Sequence, residues 1–335
     1  MKGGLAVTDK KSQKLTLVFS GVVTAILLVV PFLINNYLLT ILTSIMITAL
    51  LGQSWNIMSG YAGQFSFGHA AFFGAGAYTT VILYVQYNIS PWIGMIVGMA
   101  VAAVIGLIIG YLSFHCHIKG DYFALATLAF AEILRLLVYN SQDTVFGGPG
   151  GIFVTYIKGG SVKAFQFSSW KPYYYIILLF VIAVTVLIYF FRKMRFGLQL
   201  IAIRENEDAA DALGVDILKY KLSAIALSAA VAALAGAFFA QYYLFIDSQS
   251  VFGSSISVQA IIPCIIGGSG TPFGPILGAF LIVPIQELTN SLFSNISGMN
   301  MIVYGVLIVL FILFCPNGII GLFKKAFKKK GGAEK

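Results

Sequence analysis

Apolar residues in this chain fall in long unbroken runs, not in the every-second-residue alternation of a half-buried strand or a membrane barrel. The runs are Leu15 to Ile34, Tyr37 to Met58, Ala70 to Tyr87, Pro91 to Phe114, Tyr122 to Tyr139, Tyr173 to Phe191, Leu222 to Leu244, Ile256 to Ile266, Pro275 to Leu292 and Met301 to Phe314. A helix crossing the hydrocarbon core takes about 20 apolar residues. The pattern therefore predicts an all-α polytopic membrane protein with about ten transmembrane helices. The eighth run is short and predicts a tilted, broken or half helix unless it starts earlier. The glycine-rich stretch Gly60 to Gly76 predicts a partly re-entrant segment, and Ile256 to Gly274 a second break.

Composition agrees. Only 10% of residues are charged and 59% are hydrophobic, against about 25% charged in soluble domains, which excludes a soluble enzyme and a disordered chain. Three cysteines exclude a disulfide scaffold. A net charge of +9 would suggest nucleic acid in a soluble protein; here its placement matters more. If all the runs cross and the N-terminus is inside, the cytoplasmic pieces hold all but four of the 21 basic residues. Lys158, Lys163 and Lys171 lie opposite, and Arg135 lies inside a run. This asymmetry predicts both termini cytoplasmic.

The first run is too long for a signal-peptide core and no A-x-A site follows, so it reads as a retained helix. The chain thus divides into a basic cytoplasmic N-terminus (1–14), one transmembrane domain (15–315) and a basic cytoplasmic tail (316–335). The domain carries an extracytoplasmic loop at 140–172 and a cytoplasmic loop at 192–221, neither large enough to be a catalytic domain. The tail lysines Lys324 to Lys330 read as topology signals ahead of lipid-binding groups.

Chemistry is therefore sought in the bundle and its loops. Arg204 to Gly214 reads as a short surface helix, with acids in its first turn, an alanine-rich middle and glycine at its end; such a segment is either a connector or a docking helix. Gly63, Gln64, Ser66, Gly68 and His69 form a small and polar cluster at the edge of a span, matched by Gly267 to Gly274 later. Neither cluster has the Gly-Lys-Ser/Thr of a phosphate-binding loop or the strand-turn-helix setting of a dinucleotide site. Glu132 and Arg135, spaced i, i+3, predict a structural ion pair, which leaves Glu287 as a carboxylate better suited to proton relay. His115-Cys116-His117 offers too few ligands for a metal, and no set of residues suggests hydrolysis.

Four blocks carry a family resemblance: Gly63 to Tyr78, Lys119 to Ile133, Ala202 to Gly214 and Gly267 to Gly274. In this order they closely resemble the membrane permeases of branched-chain amino-acid ABC importers, M-type subunit. The resemblance implies a type II ABC importer permease fold with ten helices and an inverted repeat. It also implies a coupling helix after the sixth span, where Arg204 to Gly214 falls. Asp208-Ala209-Ala210 followed by Gly214 is similar to the E-A-A-x-x-x-G permease motif with Asp for Glu. Arg204, Glu205, Glu207, Asp208, Ala209, Ala210 and Gly214 are the implied ATPase-coupling residues. Gly63, Gln64, Ser66, Gly68, His69 and Thr127 are the candidates for the translocation pathway.

The implied protein is a non-catalytic, multi-pass subunit in the cytoplasmic (inner) membrane, in contact with lipid and not with nucleic acid. Its partners would be a homologous permease forming a heterodimer, two cytoplasmic ATP-binding subunits and an extracytoplasmic amino-acid-binding protein. It would hold no cofactor itself, ATP and Mg being bound by the partner ATPase subunits. Two positions depart from the family pattern. Phe146-Gly147-Gly148-Pro149-Gly150 lacks the usual leading Thr, and the late glycine block reads Gly-Ser-Gly-Thr. The rival readings are a urea or short-amide ABC permease and an ion-coupled secondary transporter using Glu287 or Glu132.

Overall fold

The computed structural model describes residues 25–116, 118–142, 144–293, 298–314 and 318–321. Half of the expected first span (15–24) lies outside these residues, as do the basic N-terminus and most of the basic tail. Twelve helices and one two-stranded bridge are named among them here. Helix α1 is Asn36–Trp55, continued by a π-helical turn over Asn56–Tyr61; α2 is His69–Tyr87, α3 Pro91–His115 and α4 Asp121–Tyr139. Strand β1 is Ile152–Phe153. Then come α5 (Lys171–Phe191), α6 (Arg195–Glu205), α7 (Glu207–Ala212), α8 (Ile217–Tyr243), β2 (Phe245–Ile246), α9 (Ser248–Phe252), α10 (Ser254–Gly267), α11 (Gly274–Leu292) and α12 (Met299–Phe314).

Seven segments among the described residues are long and apolar enough to cross a membrane: Asn36–Tyr61, Pro91–His115, Asp121–Tyr139, Lys171–Phe191, Ile217–Tyr243, Ser248–Gly267 and Gly274–Leu292. Helix α2 is 19 residues long but less apolar, and α12 has 16 residues. The short eighth run is extended at its start: α9 and α10 together make a span of 20 residues, broken where Gly253 adopts extended backbone. Pro263 and Pro284 lie inside α10 and α11, where each removes an intrahelical hydrogen bond.

The centre of the bundle is α2, α3 and α8 packed on one another, with α1 and α10 against them. Apolar side chains gain little from leaving lipid for each other, so close packing must hold such helices together. Small residues supply it: Gly76 lies against the backbone of Ala233, and Gly236 against that of Phe73. At the end of the bundle opposite α7, β1 pairs antiparallel with β2, Ile152 opposite Ile246 and Phe153 opposite Phe245. This bridge ties the 140–172 loop to the end of α8.

Candidate functional site: a loop helix joined to two helix breaks

The stretch 204–214, expected as one helix, is split. Arg204 and Glu205 close α6, and Asn206 turns to extended backbone (φ −161°, ψ 108°). Its side chain accepts from the Ala209 amide at 3.0 Å, so Asn206 caps α7. Glu207 and Asp208 then sit in the first turn, where the helix dipole favours acids. At the other end the Gly214 amide donates to Asp211 O and the Val215 amide to Ala210 O. That closing pattern needs the left-handed conformation Gly214 adopts, φ +80°.

The alanine pair does not form one outward face. Ala210 is buried, whereas Asp208, Ala209 and Gly214 are exposed. Leu213, one turn after Ala209, is 84% exposed. It was not singled out from the sequence, although an apolar residue four positions beyond Ala209 shares its face.

Two anchors hold this unit to the bundle. Arg204 donates from Nη1 to the Gly60 carbonyl at 2.7 Å and from Nη2 to Glu205 Oε1 at 2.6 Å. A Cβ at Gly63 would fall 2.7 Å from Arg204 Cγ, and one at Gly270 would fall 2.8 Å from Arg204 Nη1. The arginine therefore lies against both glycine-rich breaks. The second anchor is Glu207, which accepts from Lys221 Nζ at 2.8 Å and lies 3.5 Å from Lys119 Nζ, in the α3–α4 turn. Lys221 is only 4% exposed and lies over the Phe114 ring. Burial pushes the Glu207 carboxyl up, but the two lysines outweigh it and hold it below its usual range. Glu207 thus grips the bundle and is not part of the exposed face of α7.

The two breaks are also joined to each other. Asn56 Nδ2 donates to Thr271 O at 2.8 Å, while Asn56 Oδ1 accepts from the Gly270 amide at 2.8 Å. Gln53 Nε2 donates to Pro272 O at 2.6 Å and lies 3.3 Å from Thr185 Oγ1. The end of α1 and the loop before α11 therefore form one hydrogen-bonded unit.

The six pathway candidates divide. Gly63 is exposed and lies against Arg204, while Gln64 is half-buried, with its Nε2 donating to Ala62 O. Ser66, Gly68, His69 and Thr127 are buried together. Trp55 Nε1 donates to Ser66 O at 2.9 Å, Ser66 Oγ accepts from the Gly68 amide, and Thr127 Oγ1 accepts from the Phe67 amide. A Cβ at Gly68 would fall 2.9 Å from Thr127 Cβ. His69 Nε2 lies 2.9 Å from Ser228 Oγ, whose hydroxyl donates to Ser54 O. With that proton committed, Ser228 must accept, so His69 carries its proton on Nε2. Ser228 lies eleven residues into α8, roughly 16 Å at 1.5 Å per residue. Helix α2 accordingly begins deep in the bundle, the break expected from its glycines.

Glu132 and Arg135 form the expected ion pair on α4, through both Nε and Nη2 of the arginine. Glu287 is half-buried on α11 and has no ion-pair partner among the described residues. His115 stacks on Tyr111 and Cys116 is exposed; His117 lies outside the described residues.

A polytopic helix bundle with broken helices, and a loop helix tied to the breaks, has the architecture of a membrane permease. The chain belongs to the family described as "Branched-chain amino acid transport system / permease component", whose model matches residues 37–312. It is 30% identical over 329 residues to the high-affinity branched-chain amino acid transport system permease protein LivM of Escherichia coli K12, covering 91% of this chain and 75% of that one. LivM of Salmonella typhimurium matches to the same extent. A "probable branched-chain amino acid transport permease protein LivH" of Methanocaldococcus jannaschii is 26% identical, over 76% of this chain and 82% of its own. The chain is thus a membrane permease subunit of an ABC importer and a multi-pass protein of the inner membrane.

Proposed function

We propose that the chain imports branched-chain or related hydrophobic amino acids as half of a translocation pathway, paired with a homologous permease. Two cytoplasmic ATPases would drive it, and an extracytoplasmic binding protein would deliver the amino acid. The chain itself makes and breaks no covalent bond; ATP and Mg would be bound by the ATPase subunits. Its fold would be that of a type II importer with an inverted repeat, α7 on the cytoplasmic side.

The single observation that carries this reading is the contact of Arg204 with both glycine-rich breaks. Closure of the ATPases would push on Asp208, Ala209 and Leu213 at the exposed face of α7. Arg204 and Glu207 would pass that displacement to the π-helical turn and to the loop before α11. Because Gln53 and Asn56 tie these two breaks together, they would move as one and carry Ser66, Gly68, His69 and Thr127 with them. Packed interfaces switch between discrete arrangements more readily than they deform, which suits alternating access. The pathway would open through this node to each side in turn.

The test is affinity isolation of the tagged chain from its native membrane, with partners identified by mass spectrometry, beside the Ala209→Arg variant. Recovery of a second permease and two copies of a P-loop ATPase, with the ATPase lost from the variant, is the expected result. A chain that purifies alone and still transports under a proton gradient would refute the reading.

A further inference from the structure

Of the seven candidate spans, helix α4 is the least buried. Tyr122, Leu125, Ala129, Glu132 and Leu136 are all exposed and follow one another at spacings of three and four, a single stripe down one helix face. Other helices expose wholly apolar positions, such as Leu179, Val186 and Leu187 on α5, as lipid requires. The α4 stripe instead contains a carboxylate whose side chain is 47% exposed, with the Arg135 side chain 21% exposed beside it. A charged group facing hydrocarbon costs about 2.5–3.5 kcal/mol or more. The stripe therefore faces water or another polar surface.

The pair also has bonding capacity to spare. Arg135 spends Nε and one Nη2 proton on Glu132, and Nη1 reaches Gln249 Oε1 at 3.3 Å, a long contact. A guanidinium has five donors and a carboxylate about four acceptor positions. Two Arg135 donors, one acceptor position on Glu132 Oε2 and the Gln249 amide nitrogen carry no hydrogen bond among the described residues. One exposed spot thus offers free donors for an anion beside a free acceptor for a cation.

We infer that this stripe lines the route of the transported molecule, and that Glu132, Arg135 and Gln249 form a station for the carboxylate and ammonium groups of a free amino acid. A zwitterion complements an ion pair of this kind: Arg135 and Gln249 take its carboxylate and Glu132 its ammonium. The side chain of the amino acid would then lie along the apolar part of the stripe, at Ala129 and Leu136. The inference rests on the importer reading above.

Two measurements on the reconstituted complex test it. With Cys116 and Cys315 changed to Ser, Ala129→Cys should react with a membrane-impermeant thiosulfonate about tenfold faster than Leu179→Cys, because a thiol in apolar surroundings is held un-ionised. The double swap Glu132→Arg with Arg135→Glu keeps the ion pair but exchanges its ends. It should lower amino-acid import about tenfold, the loss of a charged hydrogen bond, while binding-protein-stimulated ATP hydrolysis persists. Parent-level import by the swap, or equal labelling of the two cysteines, would overturn the inference. Import by the unmodified complex judges the importer reading separately: if it carries no amino acid, that reading falls, while the labelling ratio still decides whether the stripe is lined by water.

Discussion

Arg204 holds the carbonyl of Gly60 at 2.7 Å across 144 residues of sequence. The Gly60 carbonyl belongs to the π-helical turn that ends α1, where the regular helical bonding pattern is already lost. A residue at the end of the loop helix α6 therefore supplies a partner to backbone at a helix break. The same side chain fills the space that a Cβ on Gly270 would need at the second break. Under the coupling proposed above, displacement of the loop would reach both breaks.

Gly63 makes room for this contact twice over, through its φ of +71° and through the missing Cβ that would meet Arg204 Cγ. Gly63→Ala should cost about 1–2 kcal/mol for the left-handed backbone alone and push the arginine off the Gly60 carbonyl. Combined with Arg204→Ala, the loss of transport should be clearly less than additive, since both changes break one contact. Transport assays on the two single variants and the double variant measure this.

Glu207 and Lys221 form the second anchor, and breaking it from one side leaves a buried charge. Lys221 is 4% exposed, so Glu207→Gln should lower stability by about 3 kcal/mol. Glu207→Gln with Lys221→Met should recover most of that loss. Melting curves in detergent report both.

The pH dependence has a definite sign. The Glu207 carboxyl titrates lower in the folded protein than its ordinary 4.5. Its stabilising contribution is therefore complete above that ordinary value and is lost as pH falls through the folded value. The gap in melting temperature between the parent and Glu207→Gln should stay constant from neutral pH down to about 4.5 and close below it.

Asn56 serves three partners: Thr271 O, the Gly270 amide and Cys264 Sγ. Asn56→Leu would leave a backbone donor and a backbone acceptor unpaired inside the bundle, at about 1–3 kcal/mol each. Faster hydrogen exchange over residues 268–273 is the expected readout, with α3 unchanged as an internal control.

Leu213 is 84% exposed, with no covering side chain among the described residues. Leu213→Ser should leave the stability within about 0.5 kcal/mol of the parent's and weaken retention of the ATPase. Co-purification yield at matched expression checks this.

The helix boundaries were legible because apolar runs end where polar residues begin. Tyr122 to Tyr139 was expected and Asp121–Tyr139 is found. Helix α8 shows where that signal fails: it begins at Ile217, not Leu222, since Lys221 reads as a loop residue until its buried bond to Glu207 is known. The split at Asn206 was missed because a capping side chain competes with helix continuation on local terms that a hydropathy run does not carry. The glycine clusters signalled breaks, and the resemblance pointed to the coupling loop. Contacts between them were out of reach, because nothing local to Asn56 specifies a partner 215 residues away, nor anything local to Arg204 one 144 residues away. The inward turn of Ala210 was hidden for a related reason: two adjacent alanines look alike until the helix is docked.

The most direct measurement is import per ATP hydrolysed by the complex in proteoliposomes, with the parent chain and with Arg204→Ala. If Arg204 carries motion from the loop to the breaks, the variant should still assemble and hydrolyse ATP while import falls about tenfold, the cost of one charged hydrogen bond. An unchanged ratio of import to hydrolysis in Arg204→Ala would contradict the account.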